Sequence, residues 1–164
     1  MEVIARQDVI TVKALFNLQT RLFSNVIQGI SEDQRHVKIS DKTNHIGWLI
    51  GHVVSSRYMV ANLLGLELKE PCPNHFANGK GLKEGDYPAI SEMIKGWVEM
   101  SEKLNDAFDN ASDELLDAEP PMQTPIGLNS IIGLIAFFAH HESYTLGQIG
   151  IFRKFLGLEA MSYN

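Results

Sequence analysis

Four stretches of the chain repeat apolar residues at steps of three and four, which is the spacing of one face of an α-helix. The predicted helices cover about residues 3–29, 42–64, 88–108 and 129–156. No stretch shows the sustained alternation of apolar and polar residues that indicates a β-strand. Four long helices without a strand predict an all-α four-helix bundle, because each helix must bury its apolar face against the others.

Glycine and proline mark the connections between these helices. Gly65 predicts the end of the second helix, and three prolines, Pro120, Pro121 and Pro125, exclude regular helix before the fourth. A short turn of helix is predicted over residues 112–117. Residues 67–87 lack any sustained period, and so long a connection predicts a crossover after which the second and third helices run parallel.

Composition excludes several classes of protein. The chain has 164 residues, a length that predicts one domain over residues 1–164. Its 14 Lys and Arg against 20 Asp and Glu give a net charge of -6, which argues against nucleic acid as a partner. The longest apolar run, residues 131–139, is too short for a membrane span. The single cysteine, Cys72, and a start without the pattern of a signal peptide predict a cytoplasmic protein.

Polar side chains interrupt the apolar stripes of two predicted helices. In the fourth helix, His141, Thr145 and Gln148 share a stripe with apolar core residues. In the second helix, His52 lies one turn from Ser56 and is flanked by apolar residues. Because buried polar groups need partners, imidazoles from two facing helices predict a metal site or a polar network, with Gln148 and Ser56 as polar residues of the same pocket.

Other side chains of these helices are expected to be structural. Trp48, Trp97 and Tyr144 are expected to be core aromatic residues whose polar atoms have partners. Glu142 leaves the stripe of His141 and is expected to face a helix neighbour or solvent. Cys72 would need nearby positive charge to act as a thiolate nucleophile, so an incidental role is favoured.

Two segments resemble a known family. The sequence NHIGWLIGH at residues 44–52 and the sequence HESYTLGQ at residues 141–148 are similar to the signature segments of the DinB/YfiT-like superfamily, and the resemblance extends over nearly the whole chain. It implies an up-down-down-up four-helix bundle with a long crossover between helices two and three, often homodimeric and often binding zinc or nickel. The activities known in the family include thiol transfer, maleylpyruvate isomerisation and metal-dependent hydrolysis.

The resemblance also implies a metal site of three histidines, one from the second helix and two from the fourth. His52 matches the first position and His141 the second, but the third holds Thr145. A neutral hydroxyl is a poor ligand for zinc or nickel compared with imidazole, so the histidine triad is incomplete. His75 is the residue that can complete the ligand set, because it lies in a loop that helical spacing does not constrain.

Two functions remain open from the sequence. The first is a metal-dependent enzyme, a hydrolase or a low-molecular-weight-thiol transferase, with His52 and His141 as ligands and a small-molecule or thiol substrate. The alternative is a non-catalytic dimeric bundle that has lost metal binding and serves as a small-ligand-binding or interaction protein. Stoichiometric metal is the property that distinguishes them.

Overall fold

The computed structural model describes residues 6–76 and 87–163. Within these ranges the chain forms α1 (Gln7–Ile27), α2 (Ile46–Leu63), α3 (Pro73–Phe76), α4 (Ile90–Asn110), α5 (Asp113–Asp117) and α6 (Ile131–Phe155), and it contains no strand. The predicted all-α fold is therefore confirmed. None of the helices in the two ranges is long and apolar enough to cross a membrane.

The four long predicted helices correspond to α1, α2, α4 and α6. The predicted start of the first helix at residue 3 lies outside the described residues. The predicted start of the second helix at residue 42 is wrong, because α2 begins only at Ile46. His45 before it is extended, and its Nδ1 accepts a hydrogen bond from the Trp48 N–H at 2.9 Å, so the imidazole caps the helix.

Helix α1 packs against both α4 and α6. Phe23 stacks on Trp97 with ring centroids 4.2 Å apart, and Phe16 meets Phe108 at 5.6 Å, so α1 and α4 run in opposite directions. Helix α2 packs between α4 and α6, which is why its apolar residues cover most of its circumference. The crossover and the up-down-down-up order stay predictions, and residues 77–86 of the long connection lie outside the described residues.

Two expectations about aromatic residues are wrong. Tyr144 is 63% exposed, because it lies on the outer face of α6 and not in the core. Trp48 and Trp97 are buried as expected, but within residues 6–76 and 87–163 the Nε1 atom of each lacks a hydrogen-bond partner. Both indoles instead stack on rings, Trp97 on Phe23 and Trp48 on His52.

Glu32 caps a helix that is distant in sequence. It opens a 3₁₀ turn (Glu32–Gln34), and its carboxylate accepts hydrogen bonds from the N–H groups of Ile90 at 3.0 Å and Ser91 at 2.9 Å. The residue before α4, Ala89, has no side chain that can cap the helix. Burial alone would raise the pKa of Glu32, but these backbone hydrogen bonds outweigh it and the pKa is lowered.

We expect Glu32→Ala to lower the free energy of unfolding by about 1 kcal/mol at neutral pH, the usual loss for a helix cap. Because the folded state lowers the pKa, this contribution is present above the unfolded pKa and is lost as the pH falls through the folded one. Urea denaturation at neutral and acid pH measures both effects. Asp33→Ala on the same exposed turn is the control, and an equal loss there would contradict the capping role.

Candidate functional site

The imidazoles of His52 in α2 and His141 in α6 meet in the structure. Their Nε2 atoms are 2.9 Å apart, and the ring centroids are 4.8 Å apart at an interplanar angle of 77°. Both side chains are half-buried. We call these two residues the histidine pair.

Aromatic rings surround the histidine pair. Trp48, one turn before His52, stacks on it with centroids 4.4 Å apart and planes 19° apart. On the side of α6, Phe138 and Phe137 lie 6.0 and 6.2 Å from the His141 ring. These rings fix the orientation of both imidazoles and leave them in mainly apolar surroundings.

Glycine at position 51 allows the short helix α3 to pack beside the pair. A Cβ atom at Gly51 would lie 2.1 Å from Cζ of Phe76, which is closer than any real contact. Phe76 therefore rests directly on the backbone of α2, with its ring 6.4 Å from that of Trp48. Because Gly51 has no side chain, α3, which carries His75, can lie against α2 next to His52.

Both imidazoles of the pair are neutral near neutral pH. Burial, followed by the neighbouring His141, lowers the pKa of His52 to about 4. Burial and then the nearby His140 lower the pKa of His141. At 2.9 Å, one Nε2 atom donates and the other accepts when the two share a hydrogen bond. The Nδ1 atom of each is buried and has no hydrogen-bond partner among the described residues.

The two hydroxyl residues near the pair bond to the backbone carbonyls of the histidines. Ser56 Oγ donates to the carbonyl oxygen of His52 at 2.9 Å, and Thr145 Oγ1 donates to that of His141 at 3.0 Å. Such a bond to the preceding turn is a structural role for a serine or threonine in a helix. Thr145 is only 1% exposed, and Gln148 is half-buried one turn further along α6.

The structure places His75 against other rings. Its ring lies 5.1 Å from Tyr87 and 6.0 Å from Phe76. Among the residues that the structure describes, no three His, Cys, Asp or Glu side chains are grouped so that they could hold a metal. A ligand role for His75, like the metal roles of His52 and His141, stays a prediction.

Cys72 lines a crevice together with Gly51, Glu70 and Phe76. Burial, with the nearby acidic residues Glu92 and Glu70, raises the pKa of its thiol. A thiol that stays protonated is a weak nucleophile, so the surroundings of Cys72 favour the incidental role expected from the sequence.

The two Nε2 atoms of the histidine pair are close enough to be ligands of one metal ion. Two nitrogen ligands about 2.0 to 2.1 Å from a tetrahedral zinc ion lie about 3.3 Å apart, so the observed 2.9 Å is a few tenths of an ångström shorter than that separation. Each neutral imidazole keeps one nitrogen lone pair, and both lone pairs lie on Nε2 when the ring protons are on Nδ1. The pair therefore fits as two ligands, and the other positions would be filled by water or substrate.

Sequence reasoning missed the ion pair directly beside this site. Arg57 of α2 and Glu142 of α6 are both fully buried, with Arg57 Nη2 2.7 Å from Glu142 Oε2 and Nε 2.9 Å from Oε1. Burial raises the pKa of Glu142, and the Arg57 guanidinium opposes that rise. The available signal was an arginine inside a helix that is apolar on nearly every side, since such a charge must be paired.

Comparison with known protein families identifies a superfamily. A sequence model described as the DinB superfamily matches residues 15–149, which include all of α2 and α4 and the histidine pair. No curated protein matches the chain.

Proposed function

The chain belongs to the DinB superfamily, and from that premise we propose that it is a metal-dependent enzyme whose zinc or nickel centre has two protein ligands, His52 and His141. The observation that carries this proposal is the convergence of the two Nε2 atoms to 2.9 Å from separate helices. The reaction class is hydrolysis or transfer of a low-molecular-weight thiol to a small-molecule substrate.

A bound zinc or nickel ion would supply Lewis acidity, lowering the pKa of a water or thiol so that it becomes a nucleophile near neutral pH. Burial keeps His52 and His141 neutral, so each imidazole keeps one nitrogen lone pair, which lies on Nε2 when the ring proton is on Nδ1. Trp48, Phe137 and Phe138 limit access of water and offer apolar surface to a substrate. Thr145 directs its hydroxyl to a carbonyl, which leaves the position of the third family histidine without a nitrogen ligand.

The same geometry supports a second candidate, a non-catalytic bundle that binds a small ligand or a partner. A distance of 2.9 Å is also that of a direct hydrogen bond between two neutral imidazoles. Metal-ligating histidines nearly always donate their second nitrogen to a partner, and neither Nδ1 atom of the pair has one in the part of the chain that the structure describes. In this candidate, the imidazole hydrogen bond joins α2 to α6 where a metal joins them in the family.

Metal content distinguishes the two candidates. We expect tag-free protein reconstituted with zinc or nickel to retain about one ion per chain in elemental analysis, and His52→Ala to lose it. His140→Ala is the matched control, because His140 is adjacent to His141 but exposed, and it should keep the ion. His75→Ala shows whether the loop histidine contributes a third ligand.

Thr145→His is the complementary variant. A third imidazole one turn after His141 should tighten metal binding on the order of tenfold or more, about 1.4 kcal/mol or more, as measured by isothermal titration calorimetry. If wild-type protein binds no metal after reconstitution but Thr145→His does, the second candidate is correct. Sedimentation of the same samples tests the expected homodimer.

A further inference from the structure

Arg57 connects all four long helices through one guanidinium group. Its five N–H groups make five hydrogen bonds, two to Glu142 in α6, one to Ser101 in α4 and two to α1, at Thr20 Oγ1 and the Phe16 carbonyl. The guanidinium carbon also lies 3.6 Å from the Trp97 ring centroid. We call Arg57, Glu142, Thr20 and Ser101 the Arg57 cluster.

The hydroxyls of this cluster are held in place by their own helices. Ser101 Oγ donates to the Trp97 carbonyl at 2.7 Å, and Thr20 Oγ1 donates to the Phe16 carbonyl at 2.9 Å. Each hydroxyl oxygen is thereby turned to accept from Arg57, at 2.8 Å for Ser101 and 2.6 Å for Thr20. Helices α1, α4 and α6 thus each present an acceptor to Arg57 in one defined arrangement.

The Arg57 cluster and the histidine pair both connect α2 to α6, and they do so at neighbouring positions. Glu142 directly follows His141, and Arg57 lies five residues after His52. A shift of α6 by one residue would move Glu142 by about 1.5 Å along its axis and turn it by about 100°. That shift would leave a buried guanidinium and a buried carboxylate without their partner.

The Arg57 cluster fixes the register of α2 against α6 more strongly than the histidine pair does. Between α2 and α6 the pair contributes one contact between neutral, half-buried rings, whereas the cluster contributes two hydrogen bonds between fully buried charged groups, and three further bonds hold the same guanidinium. Hydrogen bonds to charged groups are stronger than neutral ones, and leaving a charged group unpaired inside a protein costs still more. The position of His141 relative to His52 therefore follows the cluster.

We propose that Arg57 and Glu142 are positioning residues that set the register of α2 against α6, and thereby bring the Nε2 atoms of His52 and His141 together. The consequence for metal affinity rests on the proposed function. The geometry of the histidine pair does not depend on the proposed function, and it is measured in the metal-free protein.

The test reads the tautomers of the two histidines by long-range ¹H–¹⁵N NMR of metal-free protein above neutral pH. In the wild type, one imidazole should carry its proton on Nε2 and the other on Nδ1, because one donates and the other accepts. The variant is Arg57→Met with Glu142→Met, which removes both charges and keeps similar volume. We call this difference between the two histidines the unequal tautomers, and we expect the double variant to lose it.

The matched control is Arg153→Met. Arg153 is also buried, on α6, and it donates to the carbonyl of Val26 at 3.0 Å and to that of Gln28. It lies three turns beyond His141, so its loss weakens the bundle without changing the Arg57 cluster. Arg153→Met should therefore keep the unequal tautomers of the wild type.

A second measurement is the zinc affinity of the same proteins. We expect the double variant to bind zinc at least about tenfold more weakly than Arg153→Met. Unequal tautomers in the wild type without zinc binding would overturn the proposed function and leave the positioning role standing. Unchanged tautomers in the folded double variant would overturn the positioning role.

Glu142→Gln keeps the test decisive if the double variant does not fold. The amide has the shape of the carboxylate but offers Arg57 one acceptor in place of two. We expect a partial loss of the unequal tautomers and a severalfold weaker zinc affinity. Wild-type tautomers together with wild-type zinc affinity in Glu142→Gln would contradict the proposal.

Discussion

Arg57→Met alone should lower the free energy of unfolding by about 3 to 5 kcal/mol, because it leaves the Glu142 carboxylate buried and unpaired. A loss of this size is a large part of the stability of an ordinary domain. Urea denaturation monitored by circular dichroism measures it. A loss below about 1 kcal/mol would mean that water or another group reaches Glu142, contrary to its complete burial.

The double variant Arg57→Met with Glu142→Met should be much more stable than Arg57→Met. Replacing a whole buried ion pair by apolar residues is often neutral or stabilising, whereas breaking it is not. The double-mutant cycle of these variants should therefore give a coupling energy of about 2 kcal/mol or more. Additive losses would show that the two side chains act independently.

Acid should destabilise the protein through His45. Burial, followed by the charges of His36, Lys38 and Arg35, lowers the pKa of His45 from 6.5 to about 4. The contribution of neutral His45 is fully present above the unfolded pKa, and it is lost as the pH falls from about 6.5 to about 4. At about 1.4 kcal/mol for each pKa unit, the total is about 3 to 4 kcal/mol.

The structure gives the physical reason for this acid sensitivity. The Nδ1 atom of His45 caps α2 by accepting from the Trp48 N–H, and a proton on Nδ1 removes that acceptor. The ring is 4% exposed and packs edge-on against His36 and Tyr87, with centroids 5.1 and 4.7 Å apart. An imidazolium there would face further positive charge.

His45→Asn is the control, because asparagine caps helices and does not titrate. Urea denaturation between about pH 7 and pH 4 should show a free energy of unfolding that falls less steeply in His45→Asn than in the wild type. The contributions of the titrating groups that both proteins share cancel in this comparison. Equal slopes would show that His45 takes up its proton as readily in the folded state as in the unfolded one.

The long helices could be predicted from the sequence because their periodicity is local. Their ends depend on caps, and the cap of α2 is an imidazole, which is not among the common capping residues. The position of Tyr144 was predicted wrongly because α6 is apolar on nearly every side, so the sequence pattern does not identify the face that meets solvent.

The candidate site could be predicted only in part. Helical spacing placed His141 and Thr145 on one stripe, and the structure buries Thr145 there. The partner of Glu142 could not be predicted, because Arg57 lies 85 residues away and periodicity gives the face of a residue without its partner. The bond from Thr145 to a carbonyl of its own helix is one of several that its hydroxyl could make.

The way in which Arg57 divides its hydrogen bonds among the helices also bears on how the protein unfolds. If α1, α4 or α6 alone detached from the bundle, Arg57 would lose at least one hydrogen-bond partner. Its charge would then have an incomplete set of acceptors. Partly open states are thereby raised in free energy relative to both the native and the fully unfolded chain. We therefore expect the four long helices to unfold together in one cooperative transition, whether or not the bundle holds a ligand.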